Sequence, residues 1–129
     1  MTIYKNHKGN LYRVLQDQVD SVLMGLADKL GKTPAAFTAT HTETKEEIEV
    51  FATQTRLLEI PFYTVDEQHS KNGGLVLYED LEGKKWVRPY RMFHESFFKD
   101  GKFIKRYEKM KQEEMFEMMR KHPYVFKQT

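Results

Sequence analysis

Apolar positions along this chain follow two rhythms, one of period two and one close to the helical period. The opening run "IYKNHKGNLYRVL" alternates, with Tyr12 and Val14 on one face and Leu11, Arg13 and Leu15 on the other. Lys8-Gly9-Asn10 supplies turn chemistry between the two halves, because Gly and Asn tolerate positive φ. This pattern predicts a β-hairpin. Over residues 17–30 the rhythm lengthens. Leu15, Val19, Val22, Leu23, Leu26 and Leu30 project into one arc at about 100° per residue, which predicts an amphipathic helix. Asp17 is its expected N-cap, Gly31 suits the left-handed position after its last turn, and Pro34 blocks continuation. Covering the core is the simpler role for this helix. Binding a partner is the alternative.

From Ala35 to Asp80 the alternation returns and predicts a β-meander. Its runs are "AAFTATH", "EEIEVFATQTRLL", "IPFYTVDE" and "GLVLYED", with Asn72-Gly73 the strongest turn signal between them. "KKWVRP" predicts another strand, ended by Pro89. "YRMFHE" predicts a single helical turn, and "SFFKDGKFI" a tight hairpin around Asp100-Gly101. Residues 105–122 predict a helix. Tyr107, Met110, Met115, Met118 and Met119 share one half of its wheel, opposite Arg106, Lys109, Glu113, Glu117 and Arg120. Glu117 and Lys121 form a favourable i,i+4 pair. Methionine stripes adapt to irregular surfaces, so this face either caps one end of the sheet or meets a partner or second copy.

Composition narrows the picture. A chain of 129 residues, 40% hydrophobic and 31% charged, supports a single domain with a core. A net charge of +2 leaves only a weak mean field, which argues against a general nucleic-acid or membrane binder. With no cysteine there is no disulfide, thiolate metal site or cysteine nucleophile. Lys5, His7 and Lys8 precede any apolar run, and no run is long enough to cross a bilayer, so a cytoplasmic location is expected.

Candidate chemistry is sparse. The histidines at 7, 41, 69, 94 and 122 lack metal-face spacing, and His41-x-Glu43 stands alone. Ser21, Ser70 and Ser96 are not in a nucleophile elbow, and no phosphate-loop or dinucleotide fingerprint is present. No metal, no cofactor and no catalysis are expected. The basic-aromatic cluster is more informative. Lys84, Lys85, Arg88 and Arg91 lie beside Trp86, Tyr90 and Phe93. In a strand, Trp86 and Arg88 share one face while Lys85 and Val87 share the other. Trp86 then stacks on a flat anionic ligand that Arg88 grips, or it fills the core while Arg88 pairs with an acidic group such as Glu95.

"YKNHKGNLYRVL" at 4–15, "LVLYEDLEGKKWVRPYRMFHES" at 75–96 and "DGKFIKRY" at 100–107 resemble an uncharacterised bacterial and phage family, the domain of unknown function 1653. The matching residues are Tyr4, His7, Lys8, Gly9, Asn10, Tyr12, Tyr78, Trp86, Val87, Arg88, Pro89, Met92, Phe93 and Glu95. The resemblance implies a small, strongly bent, SH3-like β-barrel and no established activity. Two segments answer to the family's histidine hairpin. "HTETKEE" at 41–47 matches its letters, and "HSKNGGLVLYED" at 69–80 matches its spacing to Tyr78 and Trp86. Topology favours the second. The family-like core is then about 2–15 and 60–107, with an insertion at about 16–60 that carries the amphipathic helix, and a C-terminal helix at about 105–122.

These readings define a mainly β, α+β domain. The expected function is non-enzymatic binding of a nucleotide-like or phosphorylated small ligand. Trp86, Arg88, Arg91, Tyr12 and His7 form the candidate site, with His69 and Glu95 completing it. The alternatives are a nucleic-acid-binding barrel, by analogy of fold alone, and an interaction factor that dimerises through Met110, Met115, Met118 and Met119.

Overall fold

Runs of alternating side chains pair wherever a ladder brings them together, and in this chain they build one eight-stranded sheet. A computed structural model describes residues 2–20, 35–53, 62–70 and 73–122. In chain order the elements are β1 (Thr2–Asn6), β2 (Leu11–Val19), β3 (Phe37–His41), β4 (Glu47–Thr53), β5 (Phe62–Thr64), a 3-10 turn (Glu67–His69), β6 (Leu75–Glu79), β7 (Lys85–Pro89), α1 (Tyr90–His94), β8 (Ser96–Lys99), β9 (Lys102–Lys105), β10 (Tyr107–Lys109) and α2 (Gln112–Lys121). The sheet order is β10-β1-β2-β6-β7-β3-β4-β5, and β8 and β9 form a separate ribbon. The fold is mainly β.

The first hairpin forms as its turn residues dictate. The Asn6 side-chain oxygen accepts the N–H groups of Lys8 and Asn10, at 3.1 and 2.8 Å. β2 then runs on to Val19, and this corrects the expected helix start at Asp17. The ladder with β6 extends to Val19↔Leu75 and outweighs the helical spacing of Leu15 and Val19. Register shifts on either side of Gln16 insert bulges that bend the strand. Asp17 lies in this bent strand, its carboxylate 2.8 Å from His94 Nε2. Val22, Leu23, Leu26, Leu30, Gly31 and Pro34 lie outside the described residues.

The expected meander holds for β3, β4 and β5, which pair antiparallel in sequence order. It fails at β6, which inserts between β2 and β7, while β3 lies parallel to β7. β6 is therefore buried on both faces. Leu75 and Leu77 join Val19, Ala39, Ile48, Val50, Val65 and Val87 in one core. Val76 and Tyr78 join Phe93 and Tyr107 in a second, flanked by Tyr4, Tyr12, Val14, Trp86 and Tyr90.

Around the first core the sheet curls until β5 returns to β2. No ladder joins those strands among the described residues, so the expected closed barrel is not found. Gln16 spans the gap instead. Its side-chain oxygen accepts the Tyr63 N–H at 2.8 Å, and its nitrogen donates to the Tyr63 carbonyl at 2.9 Å. Nearby, the Val65 N–H donates to the Asp20 carbonyl at 3.1 Å. A side-chain amide thus occupies two backbone groups that a neighbouring strand would otherwise satisfy.

The C-terminal reading is corrected too. Tyr107–Lys109 is strand β10, laid on the open edge of β1, with Asn6 opposite Tyr107 and Tyr4 opposite Lys109. The Met110 N–H adds a bond to the Ile3 carbonyl at 2.8 Å. Edge pairing holds residues 107–110 out of the helix, which opens only at Gln112. Tyr107 is accordingly a core residue, stacked flat on Phe93 at 4.2 Å. The β8–β9 hairpin turns at Asp100-Gly101 as expected, both in the left-handed region with φ of 52° and 77°.

Candidate functional site

Strand β7 deals its side chains as alternation requires. Val87 enters the first core, and Lys85 lies over the Phe37 ring at 5.3 Å. Trp86 and Arg88 face the second core and are held by protein groups. Asp80 makes a tight turn by accepting the Glu82 and Lys84 N–H groups on Oδ1, at 2.9 and 3.0 Å. Its Oδ2 accepts the indole N–H of Trp86 at 3.1 Å, and Lys84 Nζ sits 4.3 Å from the Trp86 ring. Arg88 Nη1 donates to the Tyr107 hydroxyl at 3.1 Å, and Nη2 lies 3.4 Å from Glu43 Oε1. Burial opposes the Arg88 charge, but the Tyr107 and Tyr78 phenols and the Glu43 carboxylate outweigh it and raise its pKa.

Glu95 is not the partner of Arg88. It accepts from Arg106 Nε at 2.9 Å, because β9 and β10 bring Arg106 alongside α1. The Arg106 guanidinium lies 5.5 Å from the Phe97 ring, and His7 meets the same ring edge-on at 4.9 Å. Arg91 is exposed on α1. The sequence-predicted residues thus divide. Tyr12, Trp86 and Arg88 share the second core; His7 and Glu95 gather around Phe97 and Arg106; Arg91 and His69 lie elsewhere. Tyr12 also lines a hollow of about 250 Å³ with Asn10, Leu11, Asp80, Leu81 and Glu82. Its two carboxylates make that hollow a poor seat for a phosphate. Burial, and next the neighbouring Tyr107, raise the Tyr12 phenol pKa, so this hydroxyl stays neutral.

A larger cleft, of about 370 Å³, opens at the mouth of the curled sheet. Its floor is apolar, from Ile48, Leu75 and Pro89. Its walls are His41, Thr44, Glu46, Gln68 and His69. Both segments that answered to the histidine hairpin therefore contribute, one from the β3–β4 turn and one from the 3-10 turn before β6. His41 is fixed by its own turn. Its Nδ1 accepts the Glu43 and Thr44 N–H groups at 3.1 and 3.2 Å. Burial lowers the His41 pKa, and the acceptor role of Nδ1 suits the neutral ring. Of the predicted site residues only His69 lines this cleft. The letters of "HTETKEE" carried the signal for His41, Thr44 and Glu46. Nothing in a linear reading marks Gln68. Among the described residues no cluster of His, Asp and Glu is arranged to hold a metal, and no helix is long and apolar enough to cross a membrane.

Fold and site together define a mainly β domain with two cores on one sheet and a polar-walled cleft over the first. Residues 62–109, which run from β5 through β10, match the family model described as "Protein of unknown function (DUF1653)". The matched span contains His69, Gln68, Trp86, Arg88 and Tyr107; the first hairpin and His41 lie before it. No curated protein and no solved structure matches the chain.

Proposed function

We propose that this protein is a non-enzymatic binding module that takes a nucleotide-like ligand, with the heterocycle seated in the His41–His69 cleft. The supporting observation is the cleft itself. It combines an apolar floor with convergent polar groups at the mouth of a curled sheet, and its volume of about 370 Å³ suits a small ligand. Two imidazoles offer flat faces and one ring nitrogen each, since His41 Nδ1 is taken by its own turn and His69 Nε2 lies 3.3 Å from Gln68 Nε2. The Gln68 amide both donates and accepts, Glu46 accepts, and the Thr44 hydroxyl does either. That mixture fits the edge of a base better than it fits a phosphate, which would meet the Glu46 carboxylate beside a His41 kept neutral. Any phosphate then points outward from the cleft, and Arg88 serves the second core instead of the ligand.

Thermal-shift and calorimetric titration with nucleosides, nucleotides and cyclic nucleotides test the reading. Stabilisation by at least one of them is expected, and it should be lost in His69→Ala and His41→Ala and kept in Arg88→Lys. Absence of any shift across the panel, or equal shifts in the wild type and both histidine variants, rules the cleft out.

A further inference from the structure

The polar groups around the His41–His69 cleft are not interchangeable, because the turn that carries them has already used part of their hydrogen-bonding capacity. His41 Nδ1 accepts the Glu43 and Thr44 N–H groups, at 3.1 and 3.2 Å. A neutral ring used in this way carries its proton on Nε2, so His41 offers the cleft a donor and no further acceptor. Glu46 has the converse character. Its backbone belongs to the turn: the carbonyl accepts the His41 N–H at 2.8 Å, and its N–H donates to the Thr44 hydroxyl at 3.3 Å. Its carboxylate, on the exposed rim, has no hydrogen bond or ion pair among the described residues. Glu46 and His69 both act electrostatically on His41, so the three groups border one space. Beneath them Ile48 and Leu75 are 1% and 2% exposed and offer only apolar contact.

Resting on the binding role proposed above, we infer that the cleft selects guanine among the common bases. Glu46 accepts from the adjacent ring N–H and exocyclic amino group of the guanine edge, His41 Nε2–H donates to the neighbouring carbonyl oxygen, and the apolar floor takes the ring. Guanine alone among these bases sets two donors side by side next to a carbonyl. Adenine and cytosine place a bare ring nitrogen beside their amino group, and uracil flanks its one N–H with two carbonyls. A carboxylate then faces a lone pair, where guanine gives it charge-assisted hydrogen bonds. A site whose polar groups are committed in this way rejects the wrong edge by leaving them unpaired.

The full chain is titrated calorimetrically with the 5′-monophosphates of guanosine, inosine, adenosine, cytidine and uridine, whose common phosphate cancels from the comparison. The guanosine compound should bind at least about tenfold more tightly than the adenosine, cytidine and uridine compounds, as expected for hydrogen bonds to a charged group. The inosine compound keeps the ring N–H and carbonyl but lacks the amino group, and should fall between. Glu46→Gln should bring guanosine down to the adenosine level while adenosine binding holds or improves. Its far-ultraviolet circular dichroism should not change, because the turn uses the backbone of Glu46 and not its carboxylate. Binding of adenosine, cytidine or uridine as tight as that of guanosine, with His41 and His69 still required, overturns the guanine preference and leaves the cleft as a binding site. A guanosine preference that persists unchanged in Glu46→Gln overturns the assignment to Glu46 and with it the inference. Absence of binding by every member of the panel overturns both the preference and the binding role.

Discussion

The guanidinium of Arg88 donates to the hydroxyl of Tyr107 at 3.1 Å, across 19 residues of sequence, and so ties β7 to the strand that closes the edge of β1. The Tyr107 hydroxyl also lies 3.4 Å from that of Tyr78. One phenol therefore serves a cation and a second phenol inside the second core. Tyr107→Phe removes that acceptor and leaves the Arg88 charge half-buried. A loss of about 2 kcal/mol is expected from urea unfolding with unchanged slope. Arg88→Lys should destabilise comparably, since an ammonium cannot reproduce the forked contact with Tyr107 and Glu43.

Gln16 provides a second test. Its amide satisfies both backbone groups of Tyr63, so Gln16→Ala should cost about 2 kcal/mol, mostly through the stranded Tyr63 N–H. Gln16→Glu retains the acceptor and loses the donor, and its midpoint in urea should fall between those of Ala and the wild type.

Phe93 is fully buried and stacked on Tyr107, with Tyr4 and Tyr78 at 5.2 and 5.3 Å. Truncation to Ala leaves a cavity among these three aromatic rings. A loss of about 4 kcal/mol is expected, read from chemical denaturation.

The pH dependence follows from His41. Its folded pKa lies below its ordinary value, so the unfolded chain binds more protons in the interval between the two. Stability from this group is complete above about pH 6.5, the unfolded value, and is lost as pH falls through the interval. The melting temperature should therefore drop between neutral and mildly acid pH, and His41→Gln should flatten that part of the profile. A steeper drop in the variant contradicts the assignment.

Local chemistry made much of this fold legible. Gly9 and Asn10 announced the first turn, Asp100-Gly101 the ribbon, and the alternation in "KKWVRP" placed Trp86 with Arg88 and Val87 opposite them. What failed depended on distant partners. Leu15 and Val19 carry helical spacing, yet β6 captures them as strand through bulges that no periodicity reveals. Tyr107 fits a helical wheel, yet the vacant edge of β1 takes it. The cleft was legible only in halves. His41 and His69 were read as competitors for one motif, because their meeting depends on β3 lying parallel to β7 and beyond it from β6.

The histidines also supply the most direct measurement of the proposed binding. The ring resonances of all five can be followed by nuclear magnetic resonance while nucleosides and nucleotides are titrated in. The cleft predicts that the His41 and His69 signals move together and saturably, while those of His7, on the first hairpin, and His94, paired with Asp17, stay in place. Movement of His7 or His94 with His41 and His69 unmoved, or no movement at any of them, contradicts it.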